Sequence, residues 1–357
     1  MIVSGSECVK RPWYSGQVGT VMGDEPDIVQ SEWCAITTRA APSFIRIGHL
    51  DLFARRASSG RSGRQQHLEL EQMVEHLLYR EFPSLAPDDP LSERALAMLP
   101  LAADRLGTMV AGWLRVGFCQ GNFNSDNCLV SGRTMDYGPF GWMEMFDAKF
   151  SKWTGAGDHY SFLNQPNAAI ANFEILVDAI LNVVPSASPS QKAALMADAA
   201  RIINSKVAKV WQMKLGFTED CSREAAESWS TLQPLMQKSR VDYTMFWRQL
   251  TLVAQESSNS VADNFKKFLI CSFYEPPSES SSTEWVNWLG SWLRALSNDC
   301  SLVDATVRMR AANPKYVPRE WMLAQAYSKA AYGDYSLVHE LYNLFLHPYD
   351  ELPAYER

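Results

Sequence analysis

Three polar residues near the middle of the chain have the types needed to hold a metal ion and to move a proton. Asp126 and Asn127 precede a short apolar segment, and Asp136 follows it. Carboxylate and amide oxygens are ligands that Mg²⁺ takes beside phosphate groups. In kinase-like sites, a further aspartate accepts the proton of the attacking hydroxyl. These residues therefore point to phosphate chemistry that uses a divalent ion.

The spacing of these residues predicts a β-hairpin. Ser131-Gly132 lies between two short apolar runs, which is a turn signal. A two-residue loop there would place Cys128 opposite Met135 and Asn127 opposite Asp136, with Cβ atoms of each pair about 4.5–5.5 Å apart. We therefore expect Asn127 and Asp136 to share one cation. The alternative is a surface hairpin with polar ends and no ligand.

The wider sequence resembles one known family. The string NSDN, a short spacer and DYGPFG resemble the core signature of the SelO (selenoprotein O) family. Other segments resemble that family in the same order and cover roughly residues 1–350: TRAAPSFIRIGH from Thr38, NQP from Asn164, KLGF from Lys214, DYT from Asp242, and NP followed by REW from Asn313. Each motif is weak alone, and the set is specific.

The resemblance implies a protein-kinase-like fold that transfers AMP from ATP to Ser, Thr or Tyr hydroxyls of protein substrates. By position, Asp126 would be the general base, and Asn127 and Asp136 would hold Mg²⁺, or Mn²⁺, against the nucleotide. Arg39 and Arg46 would grip the nucleotide phosphates. The nucleotide would lie flipped relative to protein kinases, so that its α-phosphate faces the acceptor.

The two arginines also suit that role on chemical grounds. They lie seven positions apart, with Pro42-Ser43 between them. Guanidinium groups hold phosphate oxygens by bidentate, charge-assisted hydrogen bonds. The alternative is that both are solvated or paired with nearby acids.

The chain departs from the family pattern at several places. Gln120-Gly121 stands where the family often has His-Gly, so a proton relay there is lost, although a hydrogen-bonding role survives. Residues 1–50 contain one lysine, Lys10, and no glycine-rich phosphate loop. The final residues 352–357 contain no cysteine. The alternative function is therefore a non-catalytic nucleotide-binding or scaffold protein, and a kinase of small molecules comes third.

The expected fold is α+β and mainly helical: chiefly the C-lobe of a kinase-like fold with a remnant of the N-lobe. The expected domains are 1–54 as N-lobe remnant and hinge, 55–277 as helical C-lobe with the catalytic hairpin, and 278–357 as a helical C-terminal extension. Periodic apolar residues predict a helix from about Pro90 to Trp113. The serine-rich string at 278–282 predicts a linker.

Composition narrows the class of protein. A net charge of −7 argues against a nucleic-acid-binding surface, because such surfaces need clustered Lys and Arg. Seven widely spaced cysteines without a CxxC motif predict reduced, mostly buried thiols, as in an intracellular protein. No apolar run approaches the length of a membrane span. The sequence does not choose between cytoplasm and mitochondrion.

Overall fold

The computed structural model describes residues 2–12, 29–59, 63–135, 138, 140–153, 155, 157–185, 187–256 and 260–355. The chain divides into two compact units, Met1–Phe44 and Ile45–Arg357. The division falls between Arg39 and Arg46, the two arginines expected at the nucleotide.

The first unit contains an antiparallel pair of strands, β1 (Ile2–Pro12) and β2 (Val29–Thr38). Their register runs from Ile2 opposite Thr38 to Pro12 opposite Val29, with an irregularity between Ser4 and Glu7.

The second unit is built mainly of helices, and a second small sheet lies at its centre. That sheet pairs β3 (Phe118–Gln120) with β4 (Phe140–Trp142) in antiparallel register. The described helices are α1 (Ile47–Ser58), α2 (Arg64–Glu81), α3 (Leu91–Val116), α4 (Gln165–Leu181), α5 (Pro189–Leu215), α6 (Ser222–Ser239), α7 (Tyr243–Gln255), α8 (Val261–Lys267), α9 (Glu279–Asp299), α10 (Leu302–Ala312), α11 (Glu320–Ala330) and α12 (Ser336–Phe345).

Helix α3 is the central element of the first core. Its buried face packs against α4 and α5, and the cluster extends to α1 and α2. The predicted helix is confirmed, but it runs three residues beyond Trp113 and Pro90 is its N-cap instead of its first residue. Gly117 ends it in the left-handed conformation, with φ of 76°, and a Cβ there would lie 2.9 Å from the Tyr243 ring. The chain therefore turns directly from α3 into β3.

A second core is rich in tryptophan. Trp285, Trp288 and Trp292 of α9 are buried with the aromatic residues of α7, so one face of α9 packs into this core. Trp211 and Trp229 stack with ring centroids 3.8 Å apart. This core lies beneath the chain that follows β4.

The segment after β4 is fastened to the start of α7. The Tyr243 N–H donates to the Glu144 carbonyl at 2.7 Å, and the Phe146 N–H donates to the Val241 carbonyl at 2.8 Å. The Tyr243 hydroxyl donates to the Leu114 carbonyl of α3 at 2.6 Å. The DYT motif thereby joins the end of α3 to the chain that leaves β4.

The serine-rich string is not a linker, so that prediction is wrong. Ser278 is the N-cap of α9, its side chain accepts the Ser281 N–H, and the remaining serines form the first helical turn. Ser is a preferred N-cap because its oxygen satisfies a free N–H of the first turn. The start of α9 is therefore part of the folded unit.

The described chain is a mainly helical α+β structure, as expected. Among the described residues, no helix is long and apolar enough to cross a membrane.

Candidate functional site

Strand β3 carries the chain into the loop that contains Asp126, and buried amide side chains of α4 hold both. Gln165 of the NQP motif accepts the Gln120 N–H at 2.9 Å and donates to the Phe118 carbonyl at 3.0 Å. Asn172, about two turns further along α4, donates to the Phe123 carbonyl at 2.9 Å. Both side chains are buried, so water does not compete for these bonds. The backbone entering the loop is therefore fixed.

A short 3-10 turn, Ser125–Asn127, presents Asp126 to solvent. Asn124 caps this turn: its side-chain oxygen accepts the N–H groups of Asp126 and Asn127 at 3.0 and 3.1 Å. Asn is suited to this position because its short side chain reaches the N–H groups two and three residues on. The Asp126 side chain is exposed, as a base that meets a substrate must be.

Asn127 has the orientation that a metal ligand needs. Its side-chain nitrogen donates to the Asn122 carbonyl at 2.9 Å. Since only the NH₂ end can donate to a carbonyl, the oxygen of the amide is left for a cation. An amide oxygen is a ligand that hard divalent ions accept, so Asn127 fits the role expected for it. Asp136, the second expected ligand, lies outside the described residues.

The predicted register of the hairpin is wrong by one residue. Cys128 pairs with Thr134 instead of Met135. The Trp113 indole donates to the Thr134 hydroxyl at 3.0 Å, and the turn at Gly132 presses on α3, where a Cβ would lie 2.5 Å from the Arg105 carbonyl oxygen. A slip of one residue turns every side chain to the other face, so the spacing argument that set Asn127 opposite Asp136 loses its basis.

Arg46 reaches the loop because its own segment pairs with the chain after Asn127. The Ile47 N–H donates to the Cys128 carbonyl at 2.9 Å, and the Val130 N–H donates to the Ile45 carbonyl at 3.1 Å. Arg46 Nη1 donates to the Asp126 carbonyl oxygen at 3.1 Å. Residues 80 positions apart in sequence are thus held side by side.

The Asp126 carboxylate rests against the first turn of α1. A Cβ built on Gly48 would lie 2.3 Å from Asp126 Oδ1. Only glycine leaves room for the carboxylate there. The start of a helix also carries a partial positive charge from its free N–H groups, which favours a carboxylate at this place.

His49, the third residue of α1, completes the cluster. The Arg46 main-chain N–H donates to His49 Nδ1 at 3.1 Å. Burial and the neighbouring Arg46 charge lower the pKa of His49, although the Asp126 carboxylate raises it. The ring is therefore mostly neutral at neutral pH.

The structure brings together three of the five expected site residues: Arg46, Asp126 and Asn127. Arg39 belongs to the first unit, where its guanidinium carbon lies 5.9 Å from the centre of the Phe44 ring. No cluster of three or more His, Cys, Asp or Glu side chains with metal-binding geometry occurs in the part of the chain that is described, from which Asp136 is missing.

Sequence reasoning missed several residues that shape this site. Asn122, Asn124 and Gly48 hold the two loop side chains. The repeated asparagines of NFNSDN are a signal for side-chain-capped turns. Gln165 was noted only as part of the NQP motif and Asn172 not at all, because the partners of these side chains lie 45 and 49 residues away.

Two other side chains near β3 have no catalytic features. Gln120 is buried, and its side-chain amide has no hydrogen-bond partner among the described residues, so the hydrogen-bonding role considered for it is not seen. Cys128 is fully buried, and burial raises the pKa of its thiol well above the ordinary range. The thiolate is the reactive form, and here it is disfavoured.

A cleft of about 580 Å³ begins where β4 ends. Its walls combine aromatic residues with both signs of charge, including Trp142, Phe146, Asp147, Lys152 and Glu320. Lys152 forms an ion pair with Glu320 across 168 residues of sequence. Trp142 pairs with Phe118 at the end of the β3–β4 ladder opposite to Gln120, after which the loop begins.

Comparison with known proteins identifies the family of this chain. A family model described as "Protein adenylyltransferase SelO" matches residues 15–345. The chain is 31% identical over 362 residues to a "Protein nucleotidyltransferase YdiU" of Aromatoleum aromaticum, which covers 100% of this chain and 63% of the relative. It is 33% identical over 333 residues to a protein of that name from Xanthomonas campestris, covering 90% of this chain and 59% of the relative.

A third protein of that name, from Methylobacillus flagellatus, is 31% identical over 332 residues, which cover 92% of this chain and 61% of the relative. The chain thus spans about three fifths of the length of the curated relatives it matches. Because the family model covers most of its residues and includes the Asp126 loop, the chain belongs to the SelO family, a family of nucleotidyltransferases that transfer AMP.

Proposed function

We propose that this chain transfers AMP from Mg-ATP to Ser, Thr or Tyr hydroxyls of protein substrates. The observation that carries the proposal is the placing of an exposed Asp126, on a turn capped by Asn124, directly beside Arg46. That arrangement sets a carboxylate that can act as a base beside a guanidinium that can bind phosphate, although the two residues come from segments 80 positions apart. Family membership supports ATP as the donor.

In the proposed reaction, Asp126 accepts the proton of the attacking hydroxyl, as positioned carboxylates do in general base catalysis. Arg46 and Arg39 bind phosphate oxygens through their guanidinium groups and orient the nucleotide. Asn127 and Asp136 would hold Mg²⁺, or Mn²⁺ in its place. When bound, the ion offsets the charge that builds on the leaving pyrophosphate.

We propose that the acceptor protein inserts a segment into the cleft that begins at Trp142. Its mixed charges and aromatic floor suit an extended polypeptide. Reversing one charge at its exposed rim, by Glu320→Lys, should raise KM for the acceptor protein and leave KM for ATP unchanged. An equal change in both constants would exclude this cleft as the acceptor site.

We also propose a protein-kinase-like architecture, with residues 1–54 as an N-lobe remnant and hinge, 55–277 as the C-lobe, and 278–357 as a helical extension packed on it. The support is that α9, which opens the third segment, shares its core with α6 and α7.

Mass spectrometry of the chain incubated with Mg-ATP tests the function. Addition of AMP to the chain or to an acceptor protein supports the proposal, whereas addition of phosphate supports a kinase. Asp126→Ala should retain ATP binding and lose transfer, and Asp136→Ala should lose Mg²⁺-dependent binding. ATP binding without any transfer by the unmodified chain would favour the non-catalytic nucleotide-binding protein.

A further inference from the structure

The His49 ring lies between two nitrogen donors of the same residue. The Arg46 main-chain N–H points at Nδ1 from 3.1 Å, and Arg46 Nη2 lies 3.2 Å from Nε2. A neutral imidazole has one nitrogen that accepts and one that donates. It can therefore accept from only one of these two groups.

The backbone contact decides which nitrogen accepts. The Arg46 N–H is fixed by the start of α1, and a side chain at the third helical position commonly accepts this N–H in a capping box. Nδ1 is then the acceptor, and the ring proton lies on Nε2. Burial and Arg46 keep the ring neutral by lowering its pKa.

Nε2–H and Nη2–H are consequently two donors that lie side by side, with neither able to accept from the other. Two nitrogen donors 3.2 Å apart can both reach one oxygen at ordinary hydrogen-bond distances of about 2.7–3.0 Å. An anionic oxygen would satisfy both, and charge-assisted bonds of this kind are the stronger ones.

We propose that His49 Nε2 and Arg46 Nη2 form a paired donor site for one phosphate oxygen of the nucleotide, so that His49 is a further nucleotide-binding residue. The proposal rests on the proposed function for the identity of the ligand. A helix-capping role explains the contact at Nδ1, but it does not explain why Nε2 lies beside the Arg46 guanidinium. Among the described residues, the charged groups that act on the ring are Arg46 and Asp126.

The ring itself provides the direct test. In the full chain labelled with ¹⁵N-histidine, His49 should show the Nε2-protonated tautomer, and Mg-ATP should shift its Nε2 resonance while Nδ1 moves little. Comparison with a His49→Gln sample assigns the signal. An Nδ1-protonated ring, or an Nε2 resonance that saturating Mg-ATP leaves in place, would overturn the proposal.

Binding measurements distinguish a direct contact between His49 and phosphate from a role of His49 in capping α1. His49→Ala should weaken Mg-ATP binding about tenfold, as expected for a hydrogen bond to a charged group, and leave adenosine binding unchanged. His49→Gln, which keeps one acceptor and one donor, should restore most of the affinity for Mg-ATP. His76→Ala, at an exposed histidine of α2, is the matched control.

The outcomes distinguish this inference from the proposed function. Equal losses for Mg-ATP and adenosine in His49→Ala would assign the ring a structural role and overturn the inference alone. So would an unchanged dissociation constant for Mg-ATP. An unmodified chain that binds no Mg-ATP would overturn both the inference and the proposed function.

Discussion

Lys214 and Asn313 bind each other in both directions inside the protein. Lys214 Nζ donates to Asn313 Oδ1 at 2.7 Å, and Asn313 Nδ2 donates back to the Lys214 carbonyl at 3.1 Å. Lys214 Nζ also donates to the Arg115 carbonyl at 2.7 Å. The KLGF and NP motifs therefore meet at the end of α3, directly before β3. Motifs that identify the family thus include residues that hold the site in place without touching a substrate.

Lys214→Met should destabilise the protein and change its pH dependence. The substitution leaves two buried acceptors without a donor, at a cost of about 1–3 kcal/mol each. Burial lowers the pKa of Lys214 well below its ordinary value, so the unfolded chain binds this proton more tightly. The contribution of Lys214 to the free energy of unfolding should therefore rise with pH between its lowered pKa and that ordinary value.

Urea denaturation of both proteins across that pH range measures the effect. The stability advantage of the unmodified protein over Lys214→Met should grow with pH, by at most about 1.4 kcal/mol per pH unit. A constant difference would mean that Lys214 is charged in the folded protein.

Asp242→Asn should cost about 3–5 kcal/mol of unfolding free energy. Arg319 binds both carboxylate oxygens of Asp242, at 2.6 and 2.8 Å, and Asp242 is buried. Asn still caps α7, but the largely buried Arg319 loses its bidentate partner and keeps only the Glu144 carboxylate, 3.6 Å away. Asp158→Asn is the control, because the pair of Asp158 with Lys149 is exposed to solvent and should contribute little to stability. Similar losses in both variants by urea denaturation would contradict the argument.

Gly48→Ala should impair AMP transfer while the protein stays folded. The new methyl group would displace the Asp126 carboxylate, and misplacing a reacting group by about 1 Å can cost roughly a hundredfold in rate. Gly290→Ala, in α9 with no atom within 4 Å of the added Cβ, should leave kcat unchanged. Steady-state measurement of kcat for AMP transfer by the two variants tests this prediction. A Gly48→Ala protein with full kcat would show that Asp126 does not act from this position.

Gly132→Ala should destabilise the protein more than Gly157→Ala. Both glycines have positive φ, 67° and 57°, which costs alanine about 1–2 kcal/mol. Only Gly132 also faces a collision, with the Arg105 carbonyl at 2.5 Å, while Gly157 has open space. Overpacking of that kind adds about 1–3 kcal/mol. Thermal or urea unfolding of the two variants should separate the backbone strain from the collision. Equal losses of stability would contradict a close contact between the Gly132 turn and α3.

The sequence predicted those helices whose buried face is visible in the spacing of their own apolar residues. The apolar spacing of α3 and the tryptophan spacing of α9 both correspond to buried helix faces. The serine-rich string misled the prediction because serine favours both linkers and helix N-caps, and only the chain around it decides between them. The hairpin register misled it because Trp113 and Arg105, both on α3, set the position of the turn.

The candidate site was predictable in its residue types but not in its construction. The string around Asp126 and Asn127 carries its own cap, Asn124, and the sequence contains that information. The approach of Arg46 and Gly48 depends on pairing between segments about 80 residues apart. The amide braces from α4 likewise exist only after the chain has folded.

The boundary at Phe44 separates Arg39 and Arg46, the two arginines proposed to bind phosphate, so they are attached to the Asp126 loop in different ways. Arg46 is held to the Asp126 loop by its side-chain hydrogen bond and by the backbone hydrogen bonds of Ile45 and Ile47. These bonds fix the position of the guanidinium relative to Asp126. Arg39 is attached to them by seven peptide links, whose full extension limits the separation of the two Cα atoms to about 25 Å. Under the proposed function, a nucleotide bound by both arginines would therefore limit the conformations open to residues 40–45, the segment that joins them.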